Sequence, residues 1–145
     1  MRKAAAIKAF VAFLDREYAG SLDRLAGETP AVARERLLEL PGVGPETADA
    51  ILLYALGHPA IVVDEYLRRV VTRHGLLGEK AKYAEIQALG EAAFAGEPDI
   101  ERAGDRARHA NEFHALIVEV GKRHCRRVAR CEGCPLEWDP RASSR

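Results

Sequence analysis

The chain has 145 residues, 48% of them hydrophobic, and its 22 basic side chains balance 22 acidic ones, which describes one globular domain. Arg2-Lys3 could open a secretory leader, but Lys8, Asp15, Arg16 and Glu17 interrupt the apolar residues after it. Neither a leader nor a membrane span is expected, and the reading is cytoplasmic. Three cysteines, all between 125 and 134, are too few and too bunched for a disulfide framework and read as ligands; zero net charge means a nucleic-acid partner would need a local patch or backbone groups.

Ile7, Phe10, Val11, Leu14 and Tyr18 share one face of a helix expected from about Lys3 to Tyr18, stopped by Gly20-Ser21. A second helix runs from Pro30 to Leu38 before Leu40-Pro41-Gly42-Val43-Gly44-Pro45 breaks it. The next spans Pro45 to Leu56 and is ended by Gly57-His58-Pro59. After the apolar run Ala60 to Val63, Asp64 opens a helix whose Leu67, Val70 and Val71 repeat the spacing as far as Gly75. Tyr83, Ile86, Leu89, Ala93 and Phe94 mark another, with Gly90 inside the pattern. Phe113, Leu116, Ile117 and Val120 define the last. The polar stretch from Gly96 to Ala110 is open between loop and helix start, and Arg141 to Arg145 form a polar tail. The fold class is all-α.

Two glycines between two helices have a physical use. They permit backbone angles closed to other residues and let the chain approach a ligand closely. With the next helix starting at Pro45, its unpaired amides and dipole complete a phosphate site that needs no basic side chain. The plain alternative is a tight helix-helix connection.

The run Leu40-Pro41-Gly42-Val43-Gly44-Pro45-Glu46-Thr47-Ala48-Asp49-Ala50-Ile51, followed by Val62-Val63-Asp64-Glu65-Tyr66-Leu67-Arg68-Arg69-Val70, resembles the helix-hairpin-helix DNA glycosylases of the endonuclease III superfamily. Phe113 to Val118 and Cys125 to Pro135 are similar to its closing helix and cluster loop. The resemblance implies base-excision repair on double-stranded DNA containing damaged bases, with a nucleoid-associated location and neither a membrane nor a protein partner. It implies that Leu40, Gly42, Val43 and Gly44 grip the phosphate backbone through main-chain amides, with Thr47 as a hydroxyl contact.

Asp64 falls on the family's catalytic aspartate, where an anion stabilises the positive charge that builds on the sugar as the glycosidic bond breaks. The alternative role, a helix cap, is compatible with it. Eighteen positions earlier, where lyase branches carry a Schiff-base lysine, stands Glu46, which cannot form an imine. This implies a monofunctional glycosylase, and the surrounding run is most similar to the branch that includes 3-methyladenine glycosylases, whose substrates are cationic alkylated purines. Glu46 either senses such a cation or merely complements the helix dipole.

Cys125, Cys131 and Cys134 match the middle of a loop that in the family holds a 4Fe-4S cluster on four cysteines. Five residues separate the first two where six are usual, and Trp138-Asp139-Pro140 stand where a fourth cysteine is expected. These departures weigh against an intact cluster. Asp139 or His124 completes a site, zinc takes three thiolates, or the loop folds without metal. Nearby Lys122, Arg123, Arg126, Arg127 and Arg130 are phosphate contacts or a solvated face.

The match begins inside the family's domain, so the domain, with residues 1–61 in a hairpin-bearing lobe and 62–145 in a second lobe, is expected to be N-terminally incomplete and to leave Phe10 and Leu14 exposed. Alternative functions are a bifunctional endonuclease III-like glycosylase and abasic-site lyase, or a non-catalytic truncated DNA-binding module.

Overall fold

The computed structural model of the chain describes residues 2–95 and 103–139. Within them run α1 (Arg2–Tyr18), α2 (Leu22–Ala26), α3 (Pro30–Leu38), α4 (Pro45–Tyr54), α5 (Glu65–Arg73), α6 (Tyr83–Phe94) and α7 (Ala103–Arg123). No strand forms among the described residues beyond one isolated bridge between Cys125 and Ala129. No helix among them is long and apolar enough to cross a membrane.

The helix boundaries follow from local chemistry. Ala19 and Gly20 take φ of 52° and 75°, which lets the Gly20 N–H reach back to the Leu14 carbonyl at 3.0 Å and ends α1. Ser21 does more than stop that helix. Its hydroxyl accepts from the Arg24 N–H and caps α2, a helix of five residues that is too short to show a period in sequence. The fourth helix ends at Tyr54, short of Leu56, because the Leu56 and His58 amides turn back onto the Ile51 and Leu52 carbonyls. The open polar stretch is helical from Ala103 onward. Its earlier part, Gly96 to Arg102, lies outside the described residues, as do Met1 and the tail from Pro140.

Two hydrophobic clusters fill the interior. Phe13, Tyr18, Leu25, Ala33, Leu37, Ala48, Leu52 and Leu56 form the first, from α1 to α4. The second gathers Leu53, the run Ile61 to Val63, Leu67, Val70, Val71, Ile86, Ala110 and Ile117. Neighbouring leucines of α4 thus point into different cores. The buried face of α1 is rotated in part from the expected one: Tyr18 is buried as expected and Phe13 joins it, Phe10 and Leu14 are half-buried against the first core instead of exposed, and Ile7 and Val11 are exposed. The chain folds back over that side through α2, and α1 packs against it. Gly90 is also explained, since a Cβ there would lie 2.8 Å from Ile61 Cγ2. Close approach of α6 to the extended run outweighs the helix propensity lost.

Between the cores lies Asp49, only 1% exposed. Arg34 of α3 donates to it twice, Nε to Oδ1 at 2.6 Å and Nη2 to Oδ2 at 3.0 Å. Tyr83 Oη and Gln87 Nε2, both of α6, donate to Oδ2 at 2.7 and 2.8 Å. The same two side chains hold the extended run, Tyr83 accepting from the Val63 N–H at 3.3 Å and Gln87 donating to the Ile61 carbonyl at 3.2 Å. Burial and the Asp49 charge together raise the Tyr83 hydroxyl well above its ordinary pKa, keeping it a proton donor. Asp49→Ala removes the anion that all three side chains bond and strands a partly buried guanidinium, so it should cost about 3 kcal/mol or more. Tyr83→Phe, which keeps the ring, should cost about 1 kcal/mol. Urea midpoints at constant slope measure both.

Candidate active site and nucleic-acid interface

The hairpin between α3 and α4 is an open turn. Gly42 sits at φ 84°, and the Leu40 and Val43 amides donate inward to the Leu37 and Leu40 carbonyls, each at 3.1 Å. Gly44 is the N-cap of α4, with extended φ and no side-chain cap, and its carbonyl accepts from Ala48. Of the four amides expected at phosphate, those of Leu40 and Val43 are therefore committed within the turn. The Gly42 and Gly44 amides have no acceptor among the described residues, and those of Glu46 and Thr47, in the first turn of α4, have no intrahelical partner. Gly42, Gly44, Glu46 and Thr47 are all exposed. These N–H groups and the positive end of the α4 dipole make a surface suited to an anion. Nothing lies within 4 Å of where a Gly44 Cβ would stand, so the surface is also open to a bulky partner.

Asp64 is the N-cap of α5, at the end of the extended run that Tyr83 and Gln87 hold. Its Oδ1 accepts from the Leu67 N–H at 2.8 Å. Oδ2 is left for another partner, and His114 Nε2 of α7 faces it at 3.5 Å. Both side chains are largely covered, at 12% and 15% exposure. Burial alone would push the Asp64 carboxyl up. The His114 contact and the Leu67 and Tyr66 amides outweigh burial, so it titrates below the usual aspartate value and stays ionised at neutral pH. Tyr54, at the end of α4, places its ring 5.7 Å from the His114 ring and remains 52% exposed. Its hydroxyl is raised by burial and by the Asp64 charge. The cluster is thus a carboxylate, an imidazole and an accessible aromatic face drawn from three helices.

Sequence reasoning assigned no role to His114, Tyr54 or Asp49. A signal existed for two of them: His114 interrupts the stripe Ala110, Phe113, Ile117, and Asp49 stands between buried Ala48 and Leu52. A polar residue on an apolar face must find a partner or a task.

After α7 the cysteine loop is held by cations from α5. Arg69 Nε donates to the Cys125 carbonyl at 3.0 Å, and Arg73 donates to the Arg126 carbonyl, to the Arg127 carbonyl at 2.8 Å and to Cys125 Sγ at 3.2 Å. His74 Nδ1 lies 2.9 Å from Asp139 Oδ2, and His124 Nδ1 lies 3.3 Å from the Arg130 carbonyl.

The helix-hairpin-helix motif matches residues 31–54, which carry the hairpin. The chain is 39% identical to a protein of Methanocaldococcus jannaschii described as a DNA repair glycosylase, over 93% of this chain and 58% of that one. It is 33% identical to endonuclease III of Bacillus subtilis strain 168, over 79% and 48%. A solved structure of a trapped endonuclease III–DNA covalent intermediate superposes with a TM-score of 0.64 at 28% identity, over 93% of this chain and 55% of that one. The chain belongs to the helix-hairpin-helix endonuclease III superfamily. It spans about half the length of the relatives it matches.

The 4Fe-4S cluster that the superfamily resemblance implies would draw on the cysteine loop. Cys125, Cys131 and Cys134 line one small cavity of about 30 Å³ with His74, His124 and Arg73. Both expected replacements for the fourth thiolate, Asp139 and His124, face other groups, and no three His, Cys, Asp or Glu side chains among the described residues converge on one ion. The donor set does not fit a four-thiolate cluster. Arg69 and Arg73 fix the start of the loop through four hydrogen bonds. Cys131 is exposed, so Cys131→Ser should change stability by no more than about 0.5 kcal/mol, whereas Arg73→Ala should cost about 1–3 kcal/mol. Thermal melts with and without a chelator, beside iron, zinc and sulfide analysis, check this; loss of folding on chelation would contradict it.

Proposed function

We propose that the chain is a base-excision-repair DNA glycosylase that hydrolyses the N-glycosidic bond of damaged bases in double-stranded DNA, is monofunctional, and acts on alkylated purines. The observation that carries this reading is the Asp64 carboxylate, largely covered yet held ionised at the start of α5. The hairpin amides would take backbone phosphates without reading sequence, as suits damage that occurs in any context. Asp64 would stabilise the cationic sugar and orient a water onto C1′; the base leaves with the bonding electrons, and the proton lost by water passes to solvent. A cationic alkylated purine departs neutral and needs no acid. The exposed Tyr54 face would stack on such a cation. Glu46 in place of an amine supports hydrolysis without the lyase step. Two lobes of one domain, 1–61 and 62–145, acting in the cytoplasm on the nucleoid, complete the proposal.

Asparagine caps helices as well as aspartate does, so Asp64→Asn removes the charge while keeping the cap. Release of methylated purine from alkylated duplex should fall at least about 100-fold in this variant. Strand breaks should appear in the wild-type reaction only after alkali. Breaks before alkali would point to a lyase, and full activity of the variant would refute the role of Asp64. A Cβ at Gly44 meets no atom within 4 Å and φ there is −99°, so Gly44→Val should leave the melting temperature within a few degrees while weakening binding to damaged and undamaged duplex alike by about tenfold.

A further inference from the structure

The Asp64 site contains a group whose presence helix capping does not explain. The cap is complete without it, because the Leu67 amide already bonds Oδ1. His114 nevertheless stands on the inner face of α7, between buried Ala110 and Ile117, where an apolar side chain would pack without penalty. Its Nδ1 is buried and has no hydrogen-bond partner. An N–H at that atom would be an orphaned donor, so the arrangement favours the tautomer with the proton on Nε2, directed at Asp64. A polar group kept at a cost to packing, with its one useful atom aimed at a covered carboxylate, is better matched to activity than to stability.

We propose that His114 is a positioning residue that, through Nε2–H on Oδ2 at 3.5 Å, holds the Asp64 carboxylate in one orientation toward the reacting sugar. The inference rests on Asp64 being the catalytic group. Oδ1 is bonded to the Leu67 amide, and the imidazole faces Oδ2 at a distance that closes to a hydrogen bond with a small shift on DNA binding, after which neither oxygen is free to rotate away. The imidazole is set by α7 packing on α5 and by the Tyr54 ring. The titratable groups found against Asp64 are His114 from α7 and Tyr54 from α4, with the Leu67 and Tyr66 amides from its own helix. Of these, His114 and the two amides favour the anion. Removing the histidine leaves burial opposed by the amides alone, so Asp64 should titrate at higher pH. An imidazolium still donates from Nε2, so acidification does not break the contact in the wild type.

Three substitutions separate positioning from packing. Glutamine places its amide nitrogen near the Nε2 position, asparagine reaches only as far as Nδ1, and leucine fills the space with no donor. His114→Leu and His114→Asn should lower the single-turnover rate of base release by about tenfold or more, with duplex affinity unchanged. The leucine variant should melt no lower than the wild type, and the glutamine variant should keep its rate within about threefold. The acid limb of the rate, and the carboxyl resonance of Asp64 followed by carbon NMR, should both move to higher pH in the leucine and asparagine variants only. The NMR titration reads the contact even where base release is not detected. An unmoved Asp64 titration in His114→Leu, or equal loss of rate in all three variants with lowered melting temperatures, would overturn the proposal while Asp64→Asn remained inactive. Full activity in Asp64→Asn would instead remove the catalytic reading on which it stands.

Discussion

The Asp49 carboxylate is taken almost wholly out of water, and a buried charge is tolerated only if its lone pairs are filled. Four donors from three side chains meet that demand, one side chain from α3 and two from α6. Because Tyr83 and Gln87 also bond the backbone at Val63 and Ile61, one charge sets the relation between the hairpin helix α4, helix α6 and the run that ends at Asp64. The unpaired hairpin amides and the carboxylate are thereby parts of one hydrogen-bonded frame. Hydrophobic burial joins the same elements, but it is non-directional; the hydrogen bonds specify their register.

The balanced charge of the chain has a counterpart in the way its sites are built. At the hairpin the positive potential comes from N–H groups and a helix dipole, and at Asp64 the negative charge is kept by an amide and an imidazole. Neither requires a surplus of one sign. Two arginines of α5, Arg69 and Arg73, turn to the cysteine loop, where they bond carbonyls that have left helical geometry. In that loop the thiol of Cys125 is engaged by Arg73, and His74 and His124 face Asp139 and the Arg130 carbonyl.

Elements with several turns and strong end signals were legible from sequence. Pro30 to Leu38 coincides with α3, Pro45 with the start of α4, and Asp64 with the cap of α5, because proline, glycine and capping residues act within a few positions of themselves. The short α2 was not, since five residues cannot show a period. The face of α1 was misjudged in part for another reason: Tyr18 is buried as expected, but Ile7 and Val11 satisfy a helical period as well as Phe13 does, and which side becomes the interior depends on where α2 and the hairpin return.

What the sequence determined by itself is the all-α class, the hairpin turn and the place of Asp64 at a helix start, all consequences of local backbone preference and spacing. Only the tertiary structure decided which hairpin amides remain unpaired, that Asp49 is the buried hub, and that His114, fifty residues beyond Asp64, supplies its second partner. These depend on directions of approach between helices distant in the chain, and a periodic pattern records which face is apolar but not what stands opposite it.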